Sequence, residues 1–202
     1  SYFMQITKIM LIRPIFKAFI FVTSLSIMAC TPKFDWRTVR VDDLMYEALY
    51  PGKPSRAEKI IQFEGERLPM TMEAAKAGNA LYAIGSIHIT PNQKVDVGNL
   101  LQYLQHGMLA NLKADMEATS EVVTVKTAGQ PSYELPAQSW NMVGVAPDGQ
   151  KRLLKVWLVQ RKFPDGQTWV YQLSVLQQLL DSENQAENAE EQAMFFSGFK
   201  PY

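Results

Sequence analysis

The segment Lys151–Leu176 reads KRLLKVWLVQRKFPDGQTWVYQLSVL, and it decides the fold. Two runs rich in aromatic and β-branched residues, 151–163 and 167–176, flank Phe163-Pro164-Asp165-Gly166. These are turn residues, and Asp-Gly favours a tight reversal. The pattern predicts an antiparallel hairpin in which Trp157, Val159 and Phe163 meet Trp169, Tyr171 and Leu173. Aromatic cross-strand pairs of this kind stabilise by roughly 0.2–1 kcal/mol each.

Outward from this hairpin the same grammar repeats. Residues 121–127 and 132–144 read as strands, and Pro147-Asp148-Gly149 as the turn that follows. Further upstream, 44–50 runs into the turn Pro51-Gly52-Lys53-Pro54, and 56–64 pairs with 66–76 across Glu64-Gly65. Ala77-Gly78-Asn79 then turns the chain into 80–89, whose two faces are both apolar, as in a central strand covered on both sides. The period changes over 97–116. There Val97, Leu100, Leu101, Leu104, Met108, Leu112 and Met116 recur at helical steps and form one apolar stripe. A polar run, Asp181–Glu191, leads from a start at Ser182–Gln185 into a last helix with Ala186, Ala189, Ala193 and Phe196 in line.

The N-terminal end of the chain carries a different signal. Lys8, Arg13 and Lys17 precede an apolar run, Ala18–Ala29, and no acidic residue occurs before Asp35. A basic n-region, a short apolar stretch and a small-residue cleavage site define a secretory signal. Lengthening the run to the roughly 20 residues of a membrane span would bury Arg13 and Lys17. That costs about 2.5–3.5 kcal/mol per charge near the bilayer centre. The chain therefore divides into a signal peptide at 1–29, a tether at 30–40 and a single globular domain at 41–202. Met4 or Met10 is the expected start, with Ser1-Tyr2-Phe3 upstream of it.

Composition narrows the function. The whole chain is neutral, with 20 Lys and Arg against 20 Asp and Glu. Subtracting the three basic residues of 1–29 leaves 17 against 20, a net charge near −3 on the remaining 173 residues. No clustered basic surface suggests nucleic acid as a partner. Cys30 is the single cysteine, so disulfides, thiolate zinc sites and cysteine nucleophiles are excluded from the domain.

Leu25-Ser26-Ile27-Met28-Ala29-Cys30 resembles the lipobox of bacterial lipoproteins, with Met28 larger than the usual residue at its place. The resemblance implies cleavage before Cys30 and a diacylglycerol on its thiol. Thr31 in place of Asp implies transfer to the outer membrane, with the domain lipid-anchored at the periplasmic face. A plain signal peptide followed by a free cysteine, or an uncleaved anchor, is the alternative. Further on, Tyr46-Glu47-Ala48-Leu49-Tyr50-Pro51-Gly52-Lys53-Pro54 resembles the opening of PsbP-like domains. The strand Ala80–Ile84, the helix 97–116, the strand Trp169–Leu173 and the ending Phe195-Phe196-Ser197-Gly198-Phe199 are similar to later features of that family. The resemblance covers most of 42–199. It implies an α+β sandwich, a central antiparallel sheet with helices on both faces, and relatives of the PsbP-like and Mog types that act mainly by binding other proteins.

Candidate chemistry is sparse. His88 and His106 lie on a strand and a helix without ligand spacing, so no metal or other cofactor is expected. No nucleophile elbow or phosphate loop occurs. Ser86 follows Gly85 within a strand, and Asp42-Asp43 and Glu190-Glu191 are adjacent carboxylates whose side chains diverge. Tyr133, Trp140, Trp157, Trp169 and Tyr171 gather on the C-terminal strands. They read either as sheet core or as a patch for a partner, because Trp and Tyr dominate binding hot spots. The sequence thus points to a non-catalytic protein-binding or assembly module whose partner is an envelope protein. The alternative is a carrier of a small apolar ligand between the sheet and helix 97–116, near Met70, Met72, Met108 and Met116.

Overall fold

In the computed structural model the described residues are 33–112, 119–179 and 188–202. The expected signal peptide, Cys30, Met116 and Ser182–Gln185 lie outside them. The folded unit spans Phe34–Tyr202. Its elements are β1 (Arg37–Val41), a 3₁₀ turn at Asp42–Leu44, β2 (Tyr46–Tyr50), β3 (Ser55–Phe63), β4 (Glu66–Ala77) and β5 (Ala80–Ile89). Helix α1 (Val97–Leu112) follows, then β6 (Thr119–Lys126), β7 (Glu134–Val145), β8 (Lys151–Lys162) and β9 (Thr168–Gln178). Helix α2 (Ala189–Ser197) and β10 (Lys200–Pro201) complete it.

Seven strands form one antiparallel sheet in the order β3-β4-β5-β9-β8-β7-β6, and β1-β2-β10 form a second. In the hairpin β8–β9 Trp157 stands opposite Leu173 and Val159 opposite Tyr171, as anticipated, whereas Trp169 faces Arg161 and Phe163 lies beyond the paired register. Its turn closes through the Gly166 amide donating to the Phe163 carbonyl at 3.0 Å. Glu64 and Gly65, both at positive φ, make the two-residue β3–β4 turn, whose backbone twist matches that of the strands.

The helix-flanked α+β sandwich is corrected by this architecture. Among the described residues strands make up 55% and helices 18%, in two antiparallel sheets with two α-helices. One face of the large sheet packs on the small sheet and the short α2, and the other carries α1. Of the stretch 30–40 expected as a tether, Phe34 onward takes part in the folded unit. Phe34 and Trp36 stack at 5.9 Å, Trp36 meets the buried Tyr82 edge-on, and β1 pairs along all of β2. Burying two aromatic rings stabilises by several kcal/mol, which fixes this stretch in the fold.

Side-chain alternation separates two cores. Tyr82, Ile84, Tyr171, Leu173 and Val175 point to the small sheet and meet Tyr46, Tyr50, Phe195 and Phe199. Leu68, Met70, Ile87, Trp140, Met142, Val156 and Val170 point to α1 and meet Leu100 and Leu104. Helix α1 begins at Asp96, whose carboxylate accepts the Asn99 amide at 2.9 Å, an N-cap bond contributing about 0.5–2 kcal/mol. Glu64 in the β3–β4 turn accepts from the Asp96 amide and from the Asn99 side chain. The turn and the helix start are thereby tied together.

Candidate functional site: a methionine-lined groove under α1

The tie between Glu64 and α1 holds the helix over the β3–β4 edge of the sheet, and the space between them is an open groove of about 720 Å³. Ligand sites commonly measure ~300–1,000 Å³. Met70 and Met72 sit two apart on β4 and face α1, which contributes Leu104 and Met108 one turn apart. Gly85 of β5 lies directly opposite Met72 in register. A Cβ there would run into the Met70 methyl and stand 2.7 Å from the Met72 sulfur. The missing side chain is what lets both thioethers lie across the sheet. Gln172, opposite Gly85 on β9, lines the same groove. Tyr103 and Ile60, 47% and 40% exposed, stand at its mouth, with Tyr103 against the Phe63 ring at 5.3 Å.

Met70, Met72 and Met108, read from the sequence as close to the sheet–helix layer, are brought together here. Lys59, Tyr103 and Gln172 were not singled out. The glycine opposite a methionine in a strand with two apolar faces was the signal that could have located the floor.

The five aromatic candidates do not form one patch. Trp140 is buried on the α1 side, and Trp169 and Tyr171 are buried on the opposite side of the sheet. Trp157 is half-buried and packs at a tilt on Phe196, ring centres 4.8 Å apart. Only Tyr133, 57% exposed, offers a free ring. It borders a shallow surface depression with Phe163 and Arg161, and the Arg161 guanidinium sits 4.6 Å from the centre of the Phe163 ring. The structure does not bring the five rings onto one surface. Alternation sends neighbouring aromatic strands' rings to whichever core their register selects.

The remaining polar groups are structural in their contacts. His88 stacks on Trp169 at 4.5 Å and hydrogen-bonds Gln167 at 2.7 Å, whereas His106 lies on exposed α1 at the groove. Among the described residues, no three His, Cys, Asp or Glu side chains gather closely enough to hold a metal ion. Arg56 bridges Asp43 at 2.7 Å and the buried Glu73 at 2.6 Å, joining the two sheets. The Arg56 hydrogen bond holds the Asp43 carboxyl below its ordinary range. Tyr46 and Tyr50 share a hydroxyl–hydroxyl bond of 3.1 Å, and burial pushes both phenols far up. Burial lifts Tyr82 to about 12, with Glu191 adding to the rise. Such phenols stay protonated and inert as bases near neutral pH.

No protein-family model matches this chain, and no curated protein matches it. Among the described residues, no helix is long and apolar enough to cross a membrane.

Proposed function

We propose that the protein is a lipid-anchored lipoprotein of the bacterial envelope whose folded domain is a non-catalytic carrier, holding a small apolar ligand in the groove under α1. The observation that carries this reading is the groove itself: walls of flexible thioethers lying over Gly85, open to solvent among the described residues. Methionine surfaces re-pack around varied apolar shapes. The basic and apolar run before Cys30 supports the anchor, since several acyl chains at about 0.8 kcal/mol per buried CH₂ hold a domain on a bilayer. The outer membrane, periplasmic face, is the location this proposal carries.

The test is extraction of the full-length protein, purified from envelopes, followed by mass spectrometry of the organic phase. A defined apolar molecule enriched over an unrelated lipoprotein purified alongside is expected, and its loss in Gly85→Leu, which fills the floor. Equal extracts from both proteins would refute the carrier. For the anchor, Cys30→Ser should abolish incorporation of a palmitate analogue and release the domain from membranes; a variant that labels normally would refute it.

A second reading keeps the domain as a protein-binding module for an envelope partner. It is favoured by the Tyr133–Arg161–Phe163 depression, which pairs an exposed ring with a cation, the residue types of binding hot spots. In-cell crosslinking that captures one envelope protein, and loses it on Tyr133→Ala, would select this reading.

A further inference from the structure

We propose that the groove's ligand is a long-chain fatty acid, its chain lying over Met70 and Met72 and its carboxylate at Lys59. This inference rests on the carrier reading and names the ligand class for the same site.

The chemistry of the lining separates a body from a head position. Ile61, Met70, Met72, Leu104 and Met108 give an apolar trough, and Gly85 leaves the Met70 and Met72 side chains room to lie across its floor. Lys59 stands directly opposite Met70 in the β3–β4 register. Its methylene stem therefore continues the apolar wall while its ammonium reaches the exposed edge, the usual arrangement of a lysine bordering an apolar surface. None of the ion pairs among the described residues engages Lys59.

The charge balance of the lining selects the head. Lys59 is the one lysine or arginine in it, and no Asp or Glu lines it among the described residues. A cationic amphiphile would meet repulsion there and find no counter-charge. A phosphate headgroup carries more charge and is typically gripped by arginine forks, and no arginine lines the groove. One lysine at the end of an apolar trough matches a single negative charge on a single chain. The side-chain amides of Gln172 and Asn111 add neutral donors along the trough.

The test uses the full-length lipidated protein in phosphatidylcholine vesicles. Three photo-crosslinking probes of equal chain length are compared: a diazirine palmitate, its methyl ester, and the corresponding alkyl trimethylammonium. Adducts are mapped by peptide mass spectrometry. Palmitate should label the peptides containing Met70, Met72 and Met108 at least five-fold more than the ester, and the ammonium least. Lys59→Glu should bring palmitate down to the ester's level and leave the ester unchanged, while Lys59→Arg retains the preference. Lys59 is exposed on an edge strand, so the fold survives these changes. Equal labelling by acid and ester, or palmitate labelling indifferent to Lys59→Glu, overturns the fatty-acid assignment and leaves the carrier standing. Stronger labelling by the ammonium overturns it likewise. Absence of every probe from the groove overturns the carrier reading itself.

Discussion

Replacing Tyr171 by phenylalanine should cost about 2 kcal/mol of stability while removing one atom. Tyr171 is fully buried at the centre of β9, and its hydroxyl donates to the Leu44 carbonyl at 2.8 Å and the Met45 carbonyl at 3.1 Å. These carbonyls belong to the turn that launches β2, and Met45 holds a left-handed φ of 60° there. A non-glycine residue in that region stores ~1–3 kcal/mol of strain, so the turn needs outside support. The ring contacts of Tyr171 with Tyr46 and Phe199, at 5.7 and 5.2 Å, survive in phenylalanine. What disappears is the donor to the Leu44 carbonyl, at about 1–3 kcal/mol, while the Met45 carbonyl keeps the Tyr202 amide at 2.9 Å. For a domain of this size each kcal/mol lowers Tm by about 2–4 °C, so calorimetry should show a drop of about 4–8 °C. Tyr133→Phe, at an exposed ring, should leave Tm within a degree or two. Amide exchange at 44–46 should accelerate beyond the global change. Equal melting of Tyr171→Phe and the parent would refute the claim that this hydroxyl joins the two sheets.

Three further outcomes follow from contacts of the same kind. Gly198→Ala puts a Cβ 2.6 Å from the Leu49 Cβ and 2.9 Å from the Met194 carbonyl oxygen; neither yields easily, so chemical denaturation should show a loss of about 1–3 kcal/mol, whereas Gly85→Ala displaces only methionine ends and should stay within about 1 kcal/mol of the parent. Arg56→Met strands the buried Glu73 carboxylate, at about 1–2 kcal/mol once the 44% exposure of the Arg56 side chain is discounted, and adding Glu73→Gln should recover part of that loss. In alkaline titration, Tyr46, Tyr50 and Tyr171 stay protonated in the fold because burial raises them, while the unfolded chain ionises near 10; stability is therefore full below pH 10 and falls above it by about 1.4 kcal/mol per pH unit per tyrosine, and a melting temperature flat from pH 9 to 12 would contradict this.

Local pattern carried most of the strands and α1. Alternation and turn residues located β3–β4, β5 and the β8–β9 hairpin, because each depends on neighbours in the chain. The small sheet was illegible for the opposite reason. β1 is Arg37-Thr38-Val39-Arg40-Val41, too polar to announce itself, and β10 is two residues that reach Glu47 and Tyr46 from the far end of the chain. Without that sheet, helices were the natural cover for an apolar face, and the sandwich expectation followed. The aromatic strands suffered from the same gap. Trp169 and Tyr171 look surplus to one core and become necessary once a second layer stands against them. In the groove the methionines were legible by period, and the Glu64-Gly65 turn already placed Lys59 opposite Met70, but that this face of the edge strand borders a groove depends on where α1 docks.

The two faces of the large sheet are built from chemically different side chains, and the difference bears on where binding occurs. Toward the small sheet, tyrosines are fixed by directed hydrogen bonds: Tyr171 to the turn carbonyls, Tyr46 to Tyr50. Directed bonds tolerate little displacement before they are lost, so that face is a joint and is poorly suited to admit a guest. Toward α1, the β3–β4 end is filled by thioethers, which have no directional demands and three rotatable bonds each. A guest displacing them exchanges one dispersion contact for another at little cost. Gly85, on a strand that contributes to both cores, adds room on the adaptable side only. An overgrown joint would melt the fold, whereas an overgrown groove would only empty it. Substitutions on the two faces should therefore separate: those at Tyr46, Tyr50 and Tyr171 move stability, and those at Met72 and Met108 move ligand occupancy at nearly constant Tm.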